Sequence, residues 1–264
     1  MLMPHGDRKI SYDLVGDEGA PVVLMVHSLA ADMGLWAEQV PALTQAGFRA
    51  LRMDLRGHGG STAMPGAYTI DALADDLVLL LDFLGIQTCH YLGLSIGGMI
   101  GQSFAIHHPE RLESLFICDC QSQSPADAKE FWGPLIAKIE AAGSLEQIAD
   151  STMARWLSPS YQKSHPNRWK QVRQTVASCS VGGYVGCALA ISNFNHTQRL
   201  SGVQVRTLVG CGSLDERNNP KSSQAIAKLF PNGRYTEFEG GLHVPNIEFA
   251  QEFNHTLIDW LQSS

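Results

Sequence analysis

No run of this sequence approaches the roughly 20 consecutive apolar residues that a membrane-spanning helix needs, so no membrane partner is expected. The opening residues, Met1 to Asp7, lack a basic segment followed by an apolar one, so no secretory leader is expected and the cytoplasm is the expected location. Positive charge is in deficit: 19 Lys and Arg against 26 Asp and Glu leave −7, which argues against a nucleic-acid partner. Metal-knuckle cysteine pairs are missing. Cys118-x-Cys120 has the wrong spacing and no second pair, and most of the six cysteines lie in apolar stretches, as buried free thiols do in a reducing compartment. Gly93 to Gly98 does not spell Gly-x-Gly-x-x-Gly and no Gly-Lys-Ser/Thr follows it, so nucleotide binding lacks its fingerprint. Internal repeats and low-complexity segments are also absent.

What is present is an alternation. Lys9 to Val15 alternates polar and apolar residues and reads as a half-exposed strand; Pro21 to Val26 is apolar throughout and reads as a strand buried on both faces. A helix is expected over Leu35 to Ala46, a strand over Phe48 to Leu55, and a helix from the capping residue Thr69 with an apolar stripe from Ile70 to Leu84. Strands follow at Thr88 to Leu92 and Leu112 to Cys118, with a helix over Met99 to Ile106 between them. Beyond Gln121 the patterns are helical only, until strands resume at Val205 to Cys211 and Arg234 to Phe238, with helices over Ser222 to Phe230 and Ile247 to Leu261. Strands alternating with helices predict an α/β chain with a mostly parallel central sheet and helices on both faces. Residues 1–120 and 203–264 are expected to form the core domain, and residues 121–202 a helical cap.

Gly93-Leu94-Ser95-Ile96-Gly97-Gly98 sits between a strand and a helix. Gly-x-Ser-x-Gly there is the pattern of a nucleophile elbow, in which the serine occupies a strained apex and its neighbours must lack side chains. A serine hydroxyl is a weak nucleophile and needs a base held by a carboxylate. In this architecture the acid and the histidine follow the serine in that order, in loops at the carboxyl ends of strands. His243 lies in such a loop, whereas His255 lies within the last helix. Two acids qualify, Asp215 after the strand that follows the cap, in the commoner arrangement, and Asp119 at the end of the strand after the elbow helix. The expected oxyanion donors are the backbone N–H groups of Ile96, next to the nucleophile, and of Leu29, in the loop after the strand ending at His27. His27 reads as a structural hydrogen-bonder, and Asp54-x-x-x-His58 as a structural turn rather than a metal pair. No metal or organic cofactor is expected, since serine, histidine and carboxylate suffice for acyl transfer to water.

These residues, with Asp54-Leu55-Arg56-Gly57-His58-Gly59-Gly60-Ser61 before the elbow, resemble the α/β-hydrolase superfamily. The stretch from His27 to Trp36, the elbow through Gln102, the cap around Trp132 and around Gly183 to Ala190, and Gly241 to Glu248 are similar to 3-oxoadipate enol-lactonases. That resemblance covers nearly the whole chain. It implies the α/β-hydrolase fold and hydrolysis of an enol-lactone formed in aromatic degradation through β-ketoadipate. Substrate contacts are expected at Trp36, Trp132, Arg155 and Tyr184, although Trp132, Trp156, Trp169 and Tyr184 also read as the core of a small helical layer, with one or two of them lining the pocket. His27 and Ala30 depart from it, standing where asparagine and glycine are expected, which leaves the substrate open.

One absence is independent of any resemblance. From Ser151 to Leu214 there is no Asp or Glu. Residues 121–203 carry eight Lys and Arg against five Asp and Glu, net +3, which leaves −10 on the rest of a chain of −7. A basic cap favours a small anionic ester or lactone, with Arg155, Arg168 and Arg173 as candidate carboxylate ligands; the competing reading is a solvated helical face. Other classes stay open: an esterase or lactonase for another small compound, a carbon–carbon bond hydrolase, or a binding protein that keeps the pocket and loses turnover. Burst kinetics with a chromogenic ester separate the last from an enzyme. Oligomeric state is not legible.

Overall fold

The computed structural model describes residues 1–263. Eight strands form one sheet in the order β1-β2-β4-β3-β5-β6-β7-β8. They are β1 (Leu2–His5), β2 (Arg8–Val15), β3 (Val22–Val26), β4 (Arg49–Met53), β5 (Cys89–Leu94), β6 (Leu112–Cys118), β7 (Thr207–Gly212) and β8 (Gly233–Phe238). β1 and β2 pair antiparallel and β2 runs antiparallel to β4, while every pairing from β4 to β8 is parallel. All five residues of β3 are buried, as a strand covered on both faces requires. Short β1 carries no alternation to reveal it, and its Pro4 is tolerated because β1 is an edge strand.

Helices α1 (Gln39–Gln45), α2 (Ile70–Phe83), α3 (Ile96–His107), α9 (Pro220–Ala227), α10 (Pro245–Glu248) and α11 (Ala250–Gln262) cover the sheet. Thr69 caps α2 by accepting the Ala72 N–H at 3.0 Å. The helix expected over Leu35 to Ala46 is divided: a 3₁₀ turn spans Met33–Trp36 and α1 starts at Gln39. Continuous helix would put Pro41 in its interior, clashing with the preceding turn; starting at Gln39 puts it in the first turn, where no N–H is needed. The last helix is also divided, at Phe249 (φ −113°, ψ 40°).

Between β6 and β7 lie α4 (Ala128–Ala142), α5 (Glu146–Trp156), α6 (Pro159–Ser164), α7 (Pro166–Ser178) and α8 (Val181–Ile191). The two arms of this helical segment pair through Ser124 N–H to Phe194 O (2.9 Å) and His196 N–H to Ser122 O (2.8 Å). It is tied to the core at several points. Arg168 forks onto Glu38 at 2.7 and 2.8 Å. Ser180 Oγ donates to Gly57 O at 2.6 Å, and a Cβ on Gly57 would meet Gly183 Cα at 2.4 Å. Glu248 accepts the Ser158 N–H at 2.9 Å. Among the described residues no single helix is long and apolar enough to cross a membrane. All six cysteines are free and buried.

Candidate active site

Ser95 links β5 to α3 with φ 58° and ψ −116°, a backbone conformation that L-residues rarely adopt. Backbone crowding fixes its neighbours. A Cβ on Gly93 would lie 2.4 Å from Gly97 O, and one on Gly97 would lie 2.1 Å from Val26 O. The Ser95 N–H donates to Cys118 O at 2.9 Å and Tyr91 Oη donates to Gly97 O at 2.6 Å, so the elbow is held from β6 and from β5. Ser95 faces a cavity of about 310 Å³, and Leu29, Trp132, Arg155, Tyr184 and His243 are among its other lining residues.

The structure brings His243 to Asp215. His243 Nδ1 and Asp215 Oδ2 are 2.6 Å apart. The Asp215 carboxylate also accepts from Arg217 N–H (2.9 Å), Asn218 N–H (3.1 Å) and Asn218 Nδ2 (3.1 Å). Burial alone would raise its pKa. The positive end of His243, with the hydrogen bonds from His243 and Asn218, outweighs burial and holds it well below the usual carboxylate range, so it stays ionised. Asp119 makes no hydrogen bond to His243; its Oδ1 accepts the Gly212 N–H at 2.9 Å. Donor atoms of Asp119, Asp215 and His243 lie within 4.8 Å of one another, as in a metal site. Their hydrogen bonds to backbone, to Asn218 and to each other already occupy most of the lone pairs a cation would need. The helical segment helps to place the histidine: His243 N–H donates to Arg155 O at 3.3 Å, and the Trp156 and His243 rings are 6.3 Å apart.

Ile96 is the first residue of α3, so its N–H has no partner within the helix, and neither it nor the Leu29 N–H is engaged by another group among the described residues. The Leu29 loop is fixed by two buried histidines. His27 Nε2 accepts the Leu55 N–H at 3.0 Å and its Nδ1 donates to Ser28 O at 2.7 Å. His58 Nε2 accepts the Ala30 N–H at 3.2 Å. Asp54 accepts from Met33 N–H (2.7 Å) and Gly60 N–H (2.9 Å), which makes Asp54 and His58 loop anchors. His255 is exposed on α11, 3.1 Å from Asp259.

Trp36 corrects the expectation of a substrate contact there. It is fully buried, packs 6.5 Å from Phe253, and lies away from the cavity lining. The loop turns through 3₁₀ geometry at Met33–Trp36, and the indole goes to the core under α11. Arg168 and Arg173 are committed elsewhere, Arg168 to Glu38 and Arg173 to Asp150 and Glu146. Arg155 forms no ion pair among the described residues. Sequence reasoning missed Arg217, which also lines the cavity, stacks 3.9 Å over the Phe131 ring and has no carboxylate partner among the described residues. Counting charge by segment hid it, because it comes from the core loop that carries Asp215. Loss of water around Arg155, then the positive charge of Arg217 nearby, lower the Arg155 pKa. Asp127 also lines the cavity, so its charged rim is two arginines against one carboxylate.

A profile of the alpha/beta hydrolase fold family matches residues 21–250. The chain is 27% identical over 251 residues to 3-oxoadipate enol-lactonase 2 of Acinetobacter baylyi, covering 95% of this chain and 92% of that one. The enol-lactonase structure from Burkholderia xenovorans LB400 superposes with a TM-score of 0.94 at 30% identity, over 100% of both chains. A malate-bound thermophilic esterase from Thermogutta terrifontis superposes with a TM-score of 0.90 at 28% identity, over 97% of this chain and 93% of that one.

Proposed function

The chain belongs to the α/β-hydrolase family, and from that premise we propose that it is a serine hydrolase of a small carboxylate-bearing lactone, with 3-oxoadipate enol-lactone the specific candidate. The hydrogen-bonded His243–Asp215 pair, opening onto the same cavity as Ser95, carries the reading. His243 takes the Ser95 proton as Oγ attacks the lactone carbonyl. The Leu29 and Ile96 N–H groups receive the charge that develops on the carbonyl oxygen. Collapse breaks the ring C–O bond, the leaving enol takes the proton from His243, and water then cleaves the acyl-enzyme by the same steps. Asp215, ionised and held by four donors, keeps the Nδ1 proton in place and stabilises the imidazolium.

The arginines support an anionic substrate. Arg155 and Arg217 face a common cavity without carboxylate partners, whereas Arg168 and Arg173 are spent on ion pairs. A substrate carboxylate relieves their mutual repulsion. Trp132 and Tyr184, ring centroids 6.4 Å apart, supply the apolar wall. The relatives named as enol-lactonases support the same class. Six buried free thiols suit a cytoplasmic setting.

A panel of lactones and esters, neutral and carboxylate-bearing, tests this reading. Wild type should favour the anionic members, and kcat/KM for them should fall with added salt while neutral esters change little. Arg155→Ala and Arg217→Ala should each raise KM for the anionic substrate by about tenfold or more, the worth of a charge-assisted hydrogen bond, and spare the neutral one. No turnover of any ester or lactone removes the proposal. Equal salt and arginine effects on both substrate types remove its anionic part.

A further inference from the structure

Asp119 is used by none of the steps above, yet it is fully buried at the catalytic end of the sheet. Its N–H donates to Gly210 O at 3.0 Å, which carries the β6–β7 pairing one residue past the end of β6. Its φ is 48°, a left-handed conformation that costs a non-glycine residue energy and persists where the surroundings enforce it. The result is a buried carboxyl group with an oxygen within 4.8 Å of one on Asp215. Among the described residues no Lys or Arg pairs with Asp119. The titratable groups facing it are Asp215, His243 and the thiols of Cys118, Cys120 and Cys211, all three pushed up by burial and therefore neutral.

Two carboxylates that close in a dry pocket cannot both be ionised. Asp215 has three N–H donors and His243 to stabilise its charge; Asp119 has the Gly212 N–H and a weak thiol contact at 2.9 Å. The charge therefore settles on Asp215. Resting on the reading of Ser95, His243 and Asp215 as the hydrolytic site, we infer that Asp119 is a positioning residue, an uncharged carboxylic acid that donates a hydrogen bond to the Asp215 carboxylate and braces it against His243. Burial, then the negative charge of Asp215, drives the Asp119 pKa well above the usual range, in the same direction. The brace does two things. It holds the carboxylate in its contact with His243, and it withdraws charge from it, which keeps the imidazolium from becoming too stable to give its proton to the leaving group.

Two measurements test this. Infrared difference spectra of wild type minus Asp119→Asn, at pH 8, should contain the carbonyl stretch of a protonated carboxylic acid. The pH profile of kcat/KM should separate the variants. Asp119→Gly, whose backbone suits φ 48°, should lose about tenfold or more, the worth of one such hydrogen bond, and its acid limb should move up as His243 becomes more basic. Asp119→Asn, which keeps a donor in place, should restore most of the loss and return the limb. No carboxylic acid band, with an acid limb in Asp119→Asn that moves down, means Asp119 is an ionised group supporting the imidazolium and overturns the inference. An Asp119→Gly enzyme with wild-type rate and profile overturns the brace. If Asp119→Gly does not fold, the infrared band and the Asp119→Asn profile decide. Asp215→Asn measured alongside separates the two levels: full activity there refutes the site reading itself, whereas the infrared result does not depend on turnover.

Discussion

Ser95→Ala should abolish turnover, lowering kcat by about 10⁴-fold or more, and leave a folded protein. Both halves follow from the elbow. The Ser95 hydroxyl makes no capping hydrogen bond to α3, and the residue lines the cavity. Its removal costs little packing. Ala inherits the same positive φ that serine already bears, so the strain is unchanged and stability should stay within about 1 kcal/mol. The rate has no such cushion, because Ser95 is the residue at the elbow apex, beside the Ile96 N–H that is expected to meet the oxyanion. Steady-state kinetics on the best substrate of the panel, with a thermal melt of the same preparation, check both. A Ser95→Ala enzyme within tenfold of wild type would remove serine as the nucleophile.

The parts of this site that were legible in the sequence are those that backbone geometry dictates. A strand, a helix and three glycines around one serine admit few arrangements, and the crowding at Gly93 and Gly97 gives the steric reason. The histidine loop was legible because it is the one late loop between strand and helix with a histidine in it. The preference for Asp215 over Asp119 rests only on the commoner arrangement, since both sit at carboxyl ends of adjacent strands and distance is what separates them. The structure gives the contact with His243 to Asp215 and leaves Asp119 nearby without one. Side-chain destination was the least legible property. Trp36 belongs to a loop that approaches the site, but it ends the 3₁₀ turn with its ring in the core. Among the cap arginines, composition could sum charges but not assign partners: Glu38 pairs with Arg168 from outside the cap, and Glu146 and Asp150 pair with Arg173 from within it. Helix breaks were legible in principle at Pro41. At Phe249 no proline or glycine marks the break, and the adjacent Glu248 instead reaches across to Ser158.

The enzyme should lose stability steeply as pH falls below about 6.5, and His27 and His58 should be the main cause. Their rings are 5.3 Å apart, fully buried, and anchored to the backbone as neutral acceptors of the Leu55 and Ala30 N–H groups. Burial lowers His27 from its ordinary 6.5 to about 4; burial, followed by the proximity of His27, lowers His58 to about 3. The unfolded chain therefore binds protons at these two residues below pH 6.5 while the folded chain does not. Folding is unaffected above 6.5 and is opposed progressively as pH drops toward the folded values, by about 1.4 kcal/mol per pH unit for each histidine. His90 and His196, also lowered by burial, act in the same sense, whereas Asp119, which keeps its proton in the folded state, acts in the opposite one. By pH 4 the pair alone costs on the order of 6 kcal/mol, enough to unfold a domain of ordinary stability. Urea denaturation at intervals from pH 7.5 to 4.5 measures the slope, and the same series on His27→Asn isolates one member, because an amide can accept from Leu55 and donate to Ser28 without titrating. That variant should flatten the slope by about 1.4 kcal/mol per pH unit. Since the two rings fix the loop that carries Leu29, catalytic activity should fail in the same acidic range as the fold. A wild-type stability that holds level down to pH 4.5, or a slope unchanged in His27→Asn, would show that the pair accepts protons in place and that other groups set the acid limit.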